Sequence, residues 1–243
     1  MKAVILAGGK GRRLAPFTVA FPKPLVPVGD RAVLEVLIRR LAAAGIAEVV
    51  LSVDHLAELI MAFVEGHPSL KSIARFRYVR DENPGGTAGP LARIEGLDET
   101  FLVANGDLLT EVDFNDLVAH HRAAGAALTV AVHSKPVKLG LGVIDIDERG
   151  RVARYREKPE LRFEVSMGVY VYEPRALAHV APGEYLDFPD LVQRLIDAGE
   201  VVSAYRTDAY WLDIGNPDDY GRAQDDAARG VGPVARLLEE RRS

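Results

Sequence analysis

The sequence predicts an α/β fold, a parallel sheet covered by helices with antiparallel strands added to it. Three observations predict it. Apolar runs of strand length alternate with helix-spaced segments through the first half. The connections between them are long enough for crossovers, which parallel neighbours require. In the second half, strand-like segments follow one another closely, as antiparallel neighbours do. No internal repeat, low-complexity stretch or linker divides the 243 residues, so one mixed domain is the economical reading.

Lys2–Ala7 is a short apolar run ending in glycines, which suits a buried strand. Residues 8–30 are rich in Gly and Pro and cannot be one regular element. From about Ala32 to Ala44, Val33, Leu37 and Leu41 fall at helical spacing, and Gly45 stands where a helix stops. Glu48–Val53 reads as a strand, Leu56–Glu65 as a helix and Arg75–Arg80 as a strand. A second Gly/Pro loop covers 83–90, and Phe101–Ala104 is a strand ending at Asn105-Gly106-Asp107. Asp98, Asp113 and Asp116 look like turn and cap residues. Ala127–His133, Gly142–Asp147, Val152–Lys158 and Val165–Val171 are strand-like, with a tight turn at Glu148-Arg149-Gly150. All four read as antiparallel additions to the parallel core. A helix near 188–198, a strand at Val201–Tyr205 and a helix from about Pro217 through 228 follow, and residues 233–243 read as a final polar helix or a frayed end.

Composition narrows the chemistry. Hydrophobic residues make up 48% and charged residues 27%, the profile of an ordinary globular protein. No apolar run approaches the roughly 20 residues needed to cross a bilayer. The start of the chain has one lysine and a short apolar run before glycines, which argues against a signal peptide and for a cytoplasmic protein. There are no cysteines, which excludes disulfides, Cys-ligated metals and thiol catalysis. The six histidines have no zinc-binding spacing, and His120-His121 is expected to be solvated on at least one side of its helix.

The net charge is -5, yet the first forty residues hold eight basic and two acidic side chains, a local +6. A basic segment on an acidic chain suits the grip of one small polyanion better than general nucleic-acid binding. Arg31, Arg39 and Arg40 fall in or beside the first helix, where solvation is expected.

The basic segment contains a Gly-rich loop, Leu6-Ala7-Gly8-Gly9-Lys10-Gly11-Arg12-Arg13-Leu14. Glycines after a buried strand let the backbone approach a ligand, and their N–H groups can form an anion nest. Phe21-Pro22-Lys23-Pro24-Leu25 follows, with prolines stiffening both sides of Lys23. Backbone donors, guanidinium and ammonium together suit a polyphosphate. Neither the P-loop nor the dinucleotide-binding Gly-x-Gly-x-x-Gly pattern fits.

Residues Leu6–Thr18 and Pro22–Val28 resemble the signature of the sugar-1-phosphate nucleotidylyltransferases, with spacing kept over both segments. One departure is Arg12, at a position where that family usually has Thr or Ser. The resemblance extends to about residue 226 and implies a Rossmann-like, three-layer fold. It implies a nucleotide-binding half over 1–110, a sugar-binding half over 111–226 and a tail over 227–243. The reaction implied is nucleoside triphosphate plus sugar 1-phosphate giving NDP-sugar and pyrophosphate. These two substrates are the expected partners, with no nucleic acid and no membrane. The sequence leaves the oligomeric state open, a homodimer being one option.

The resemblance also assigns residues. Arg13, Lys23 and Asp107 are the expected catalytic set, Arg13 on the leaving phosphates and Lys23 on the α-phosphate. Leu6, Ala7, Gly8, Gly9, Gly11, Arg12 and Asn105 are expected to contact the nucleotide. Asn105-Gly106-Asp107 and Trp211-Leu212-Asp213-Ile214-Gly215 are similar to the family's metal-binding segments, which implies Mg²⁺ on Asp107 and Asp213. Two carboxylates plus phosphate oxygens suit that ion. On residue types alone, Asn83-Pro84-Gly85-Gly86-Thr87-Ala88-Gly89-Pro90-Leu91 reads as a plain turn before a helix. The family places a base contact there, so Gly86 and Thr87 join the nucleotide set, and Gly86-Thr87-Ala88-Gly89-Pro90-Leu91 most resembles the mannose-1-phosphate guanylyltransferase branch. Gly142, Glu157, Lys158 and Ser166 are the expected sugar-phosphate contacts, with Leu141 and Ser166 replacing the family's usual Tyr and Asn. The expected substrates are GTP and a manno-configured hexose or heptose 1-phosphate. Uridylyl, thymidylyl or cytidylyl transfer, or a non-catalytic nucleotide-sugar-binding role, are the alternatives.

Overall fold

The computed structural model describes residues 1–80 and 85–239. Asn83 and Pro84 of the second Gly/Pro loop, and 240–243 of the tail, lie outside the described residues. Strand β1 (Ala3–Leu6) leads through a 3-10 turn (Arg12–Leu14) to a short helix α1 (Phe17–Ala20) and a second 3-10 turn (Lys23–Leu25). A small ribbon of β2 (Pro27–Val28) and β3 (Arg31–Ala32) follows. Next come α2 (Val33–Ala43), β4 (Glu48–Val53), α3 (Ala57–Glu65), α4 (Pro68–Lys71) and β5 (Arg75–Arg80). A 3-10 segment (Gly89–Arg93) precedes β6 (Phe101–Asn105), β7 (Leu108–Thr110) and α5 (Phe114–Ala124). The second half holds β8 (Leu128–Lys138), β9 (Val143–Ile146), β10 (Val152–Arg156) and β11 (Glu160–Tyr172). The rest is α6 (Pro174–Leu177), α7 (Phe188–Asp197), β12 (Val202–Arg206), β13 (Trp211–Asp213), α8 (Pro217–Ala228) and α9 (Pro233–Glu239).

The central sheet has seven strands in the order β12-β8-β11-β6-β1-β4-β5. β1 pairs in parallel with β4 and β6, β4 with β5, and β8 with β12. β11 is antiparallel to both β6 and β8. The sequence places four antiparallel strands on the core, and the structure corrects this. Only β8 and β11 join the sheet, while β9 and β10 pair with each other in a separate ribbon. Their side chains explain it. Ile144, Ile146, Val152 and Tyr155 are exposed, so the ribbon has no core face to bury.

Helices cover both faces. α2 buries Val33, Leu34, Val36, Leu37, Ile38 and Leu41 to 1% exposure or less. Each such side chain contributes about 1.5–3 kcal/mol relative to leaving it in water. With α3 and α5 this helix packs on one sheet face. The 89–93 segment, α6 and α7 pack on the other, over Val4, Val50, Val103 and Tyr172. This makes three layers. Asp113 caps α5 as expected, accepting from the N–H groups of Asn115 and Asp116.

The expectation of solvation fails for Arg31 and His121 and holds in part for Arg39, Arg40 and His120, which are half-exposed. Arg31 is 4% exposed and paired with Glu35, and Arg39 bonds the same carboxylate at 2.9 Å. Arg40 donates to the Val112 carbonyl at 3.0 Å. Arg31 and Arg39 compensate the buried Glu35 carboxylate, and Arg40 ties α2 to the segment after β7. His121 is 1% exposed, with its ring nitrogens on Thr129 Oγ1 and Glu173 Oε1. His120 is half-buried against Ser203.

Candidate active site

The ends of β1 and β6 lie side by side, with Leu6 opposite Asn105. In an open α/β sheet, ligands bind beyond the carboxyl ends of the strands, and the motifs meet there. The Gly106 N–H donates to the Leu6 carbonyl at 2.9 Å, which ties Asn105-Gly106-Asp107 to the start of the Gly-rich loop. That loop folds back on the segment after it. Gly11 has φ +57, a conformation that disfavours other residues. A Cβ at Gly11 would stand 2.9 Å from Thr18 Cγ2 and 3.3 Å from Lys23 Cβ. The Thr18 hydroxyl donates to the Gly11 carbonyl at 2.8 Å. Pro22-Lys23-Pro24-Leu25 then makes one tight turn, closed by Leu25 N–H on the Pro22 carbonyl.

That turn aims Lys23 at both expected metal ligands. Its ammonium bonds Asp107 Oδ2 and stands 3.6 Å from Asp213 Oδ1. The two aspartates are 106 residues apart in the chain. They meet because β7 and β13 pair with Asp213 in register with Leu108, and because the Ile214 N–H donates to the Asp107 carbonyl. Burial and then the charge of Asp107 raise the Asp213 pKa, with Lys23 and Arg13 opposing. Asp213 Oδ1 is buried with no hydrogen-bond partner. An anionic oxygen held this way suits a cation that arrives with the ligand. Among the described residues no group of three or more potential metal ligands stands together. A cation here would take these two carboxylates and complete its shell with phosphate and water oxygens, the habit of Mg²⁺.

Two cavities adjoin this cluster. The first, of about 400 Å³, is lined by Leu6, Ala7, Gly8, Gly9, Lys23 and Asp107, and across from the strand ends by Gly86 and Thr87. The second, of about 300 Å³, is lined by Ser166, Gly168, Tyr170, Tyr172, Trp211 and Asp213. Leu6, Thr87 and Asn105 border both. The second is walled by aromatic rings, and Trp211 Nε1 is fixed by a 2.9 Å bond to the Met167 carbonyl. Such a wall suits the apolar C–H faces of a sugar.

Most expected residues therefore converge. Gly11, Arg12 and Arg13 line neither cavity; both arginines are exposed, and Arg13 comes near the cluster, since a Cβ on Gly215 would stand 3.8 Å from both Arg13 Nη1 and Asp213 Oδ1. Gly142, Glu157 and Lys158 do not line either cavity. They sit beside the exposed β9–β10 ribbon, where Tyr155 donates to Glu157 Oε2 at 2.8 Å. The Thr87 hydroxyl, expected beside a base, has protein partners. It accepts from the Phe188 N–H at 2.7 Å and lies 3.3 Å from Asp187 Oδ1. Sequence reasoning missed Ser52, Asp54, Tyr185 and Asp187 in the first cavity, and Tyr172 and Trp211 in the second. Trp211 stood next to an expected ligand and could have been found. Ser52 and Asp54 stand at the carboxyl end of β4, a position that also marks them, while Tyr172, Tyr185 and Asp187 lie in segments without a distinguishing pattern.

Residues 2–230 match the nucleotidyl transferase family. The UTP–glucose-1-phosphate uridylyltransferase of Synechocystis is 32% identical over 241 residues, covering 92% of this chain and 62% of that protein. The mannose-1-phosphate guanylyltransferase of Mycobacterium tuberculosis is 32% identical over 248 residues, covering 98% and 68%. The chain thus spans about two thirds of the length of these relatives. Among solved structures, a putative glucose-1-phosphate thymidylyltransferase from Bacillus anthracis in complex with a sucrose superposes with a TM-score of 0.73 at 24% identity, over 93% of this chain and 95% of that one. HddC from Yersinia pseudotuberculosis complexed with GMP-PN gives 0.70 at 26%, over 93% and 98%. No helix among the described residues is long and apolar enough to cross a membrane.

Proposed function

The chain belongs to the nucleotidyl transferase family, and from that premise we propose that it joins a nucleoside triphosphate to a sugar 1-phosphate, releasing pyrophosphate. The observation that carries this reading is Lys23, held against Asp107 and Asp213 where two cavities meet. The first cavity takes the nucleotide and the second the sugar. A phosphate oxygen of the sugar 1-phosphate attacks the α-phosphorus, and the bond from that phosphorus to the bridging oxygen of the leaving pyrophosphate breaks. The attacking oxygen is already anionic, so no strong general base is needed. Catalysis is then positioning and charge neutralisation.

In this scheme Lys23 offsets charge building on the α-phosphate, and Arg13 near the cluster meets the departing pyrophosphate. Gly8 and Gly9 present backbone to the phosphates. Asp107 and Asp213 would hold Mg²⁺, which when bound supplies Lewis-acid neutralisation of the phosphates. Glu157 and Lys158, on their exposed arm, reach the sugar phosphate only if the arm closes over it.

GTP with a manno-configured hexose or heptose 1-phosphate is the preferred pair. It is supported by the guanylyltransferase of M. tuberculosis and by HddC complexed with GMP-PN. UTP with glucose 1-phosphate is the second reading, supported by the equally similar Synechocystis relative. The test is pyrophosphate release from each common NTP against a panel of hexose and heptose 1-phosphates with Mg²⁺. Preference for UTP or dTTP overturns the nucleotide assignment. No release with any pair overturns the reaction.

A further inference from the structure

Tyr185 belongs to none of the motifs, yet it lines the first cavity with 62% of its surface exposed. Among the described residues lining that cavity it is the only aromatic one. Its place is fixed from two directions. The Tyr185 hydroxyl donates to Asp187 Oδ2 at 3.0 Å, and Asp187 Oδ1 accepts the Thr87 N–H at 3.1 Å. The backbone around it is joined to the loop 85–89. The Leu186 N–H donates to the Gly85 carbonyl, and the Ala88 and Gly89 N–H groups donate to the Leu186 carbonyl, all within 3.0 Å. Gly86 has φ +75, and a Cβ there would stand 2.4 Å from the Leu186 oxygen, so the two segments touch with no space between them. The turn carrying Tyr185 is therefore bonded to the loop that lines the same cavity.

We propose that Tyr185 binds the nucleobase by stacking, and that Asp187 is the positioning residue that holds its ring through the hydroxyl. This rests on the first cavity being the nucleotide site. A ring kept in water costs little when empty and gains its partner on binding. Every base presents a π-face, and a purine presents more of it. Nothing else aromatic in the cavity competes for that face. The remaining wall at Gly86 offers backbone, which lets a flat base lie close.

The test compares Tyr185→Ala, Tyr185→Phe and Tyr185→Trp with the wild type. Affinities for GTP and UTP are measured by calorimetry, and the KM for mannose 1-phosphate by pyrophosphate release. Tyr185→Ala weakens nucleotide binding by roughly 5- to 100-fold, the range of one base–aromatic stack. The loss is larger for GTP than for UTP, and the sugar KM stays unchanged. Tyr185→Phe, which keeps the ring and loses the tether to Asp187, falls between. Trp211 is the only natural tryptophan, so Tyr185→Trp adds an emission component that GTP quenches. Nucleotide affinity of Tyr185→Ala within twofold of wild type overturns the proposal. An added emission that responds to mannose 1-phosphate and to no nucleotide overturns the assignment of the cavity itself.

Discussion

Asp213 Oδ1 is buried without a hydrogen-bond partner and lies 3.6 Å from Lys23 Nζ, too far for a hydrogen bond. Its ionised form is disfavoured first by burial and then by Asp107. A folded-state pKa raised above the unfolded value means that, at pH above both, the charge opposes folding. Removing it relieves the ligand-free protein. Asp213→Asn is expected to melt at or above the wild-type temperature at pH 7 without ligand. Turnover falls by roughly 10²-fold or more, as for other lost transition-state electrostatics. A lower melting temperature for the ligand-free variant would contradict this account of Asp213.

Lys23 contributes differently. Its ammonium is shared by two carboxylates in the ligand-free site, and in the proposed reaction it serves the α-phosphate. Lys23→Ala is expected to lower kcat by roughly 10²–10³. Lys23→Arg does not restore it, because a planar fork is not a point charge on a flexible stem. Near-wild-type turnover by Lys23→Ala, measured by pyrophosphate release, would remove Lys23 from the mechanism.

The legibility of this protein in its sequence follows contact distance. β4 and β5 were readable to the residue because each is a continuous run with turn signals at both ends. The Gly-rich loop was readable because it closes on itself locally, as the Gly11–Thr18 bond shows, and Lys23 was readable from the prolines on either side of it, although its partners Asp107 and Asp213 lie far along the chain. The β7–β13 ribbon was not, since two three-residue strands from distant segments carry no periodicity. The same limit hid Tyr185 and Asp187. Their importance comes from Gly85 and Thr87, a hundred residues away. Arg31, just before α2, and Arg39 on it are hard to place from sequence for a related reason. Helical spacing alone shows a charge on a face, and only packing shows that Glu35 is buried beneath it.

The Gly-rich loop gives a paired prediction, because its glycines have different surroundings. A Cβ on Gly11 meets Thr18 and Lys23, and φ +57 adds strain of roughly 1–2 kcal/mol for a side-chain-bearing residue. A Cβ on Gly9 meets nothing within 4 Å. Gly11→Ala is expected to lower both the melting temperature and kcat, since it displaces Lys23. Gly9→Ala is expected to keep the wild-type melting temperature and raise the KM for the nucleotide, since its methyl group intrudes where backbone meets phosphate. Equal thermal loss in both variants would show that the loop is a structural turn only.

His121 gives the pH dependence. Its ring is buried, with Nδ1 2.8 Å from Thr129 Oγ1 and Nε2 3.2 Å from Glu173 Oε1. Burial lowers its pKa, and the bond to Glu173 opposes that without reversing it. The folded protein therefore holds the neutral ring at pH values where the unfolded chain, with an ordinary histidine pKa of about 6.5, takes up a proton. Stability from this group is present above that value and is lost as pH falls through it toward the lowered folded-state pKa. The urea midpoint of the wild type is expected to drop between about pH 7.5 and pH 5.5. His121→Gln keeps hydrogen-bonding capacity without titrating, so its midpoint falls less over the same range, even if its stability at neutral pH is lower. Parallel pH profiles for the two proteins would place the acid sensitivity elsewhere.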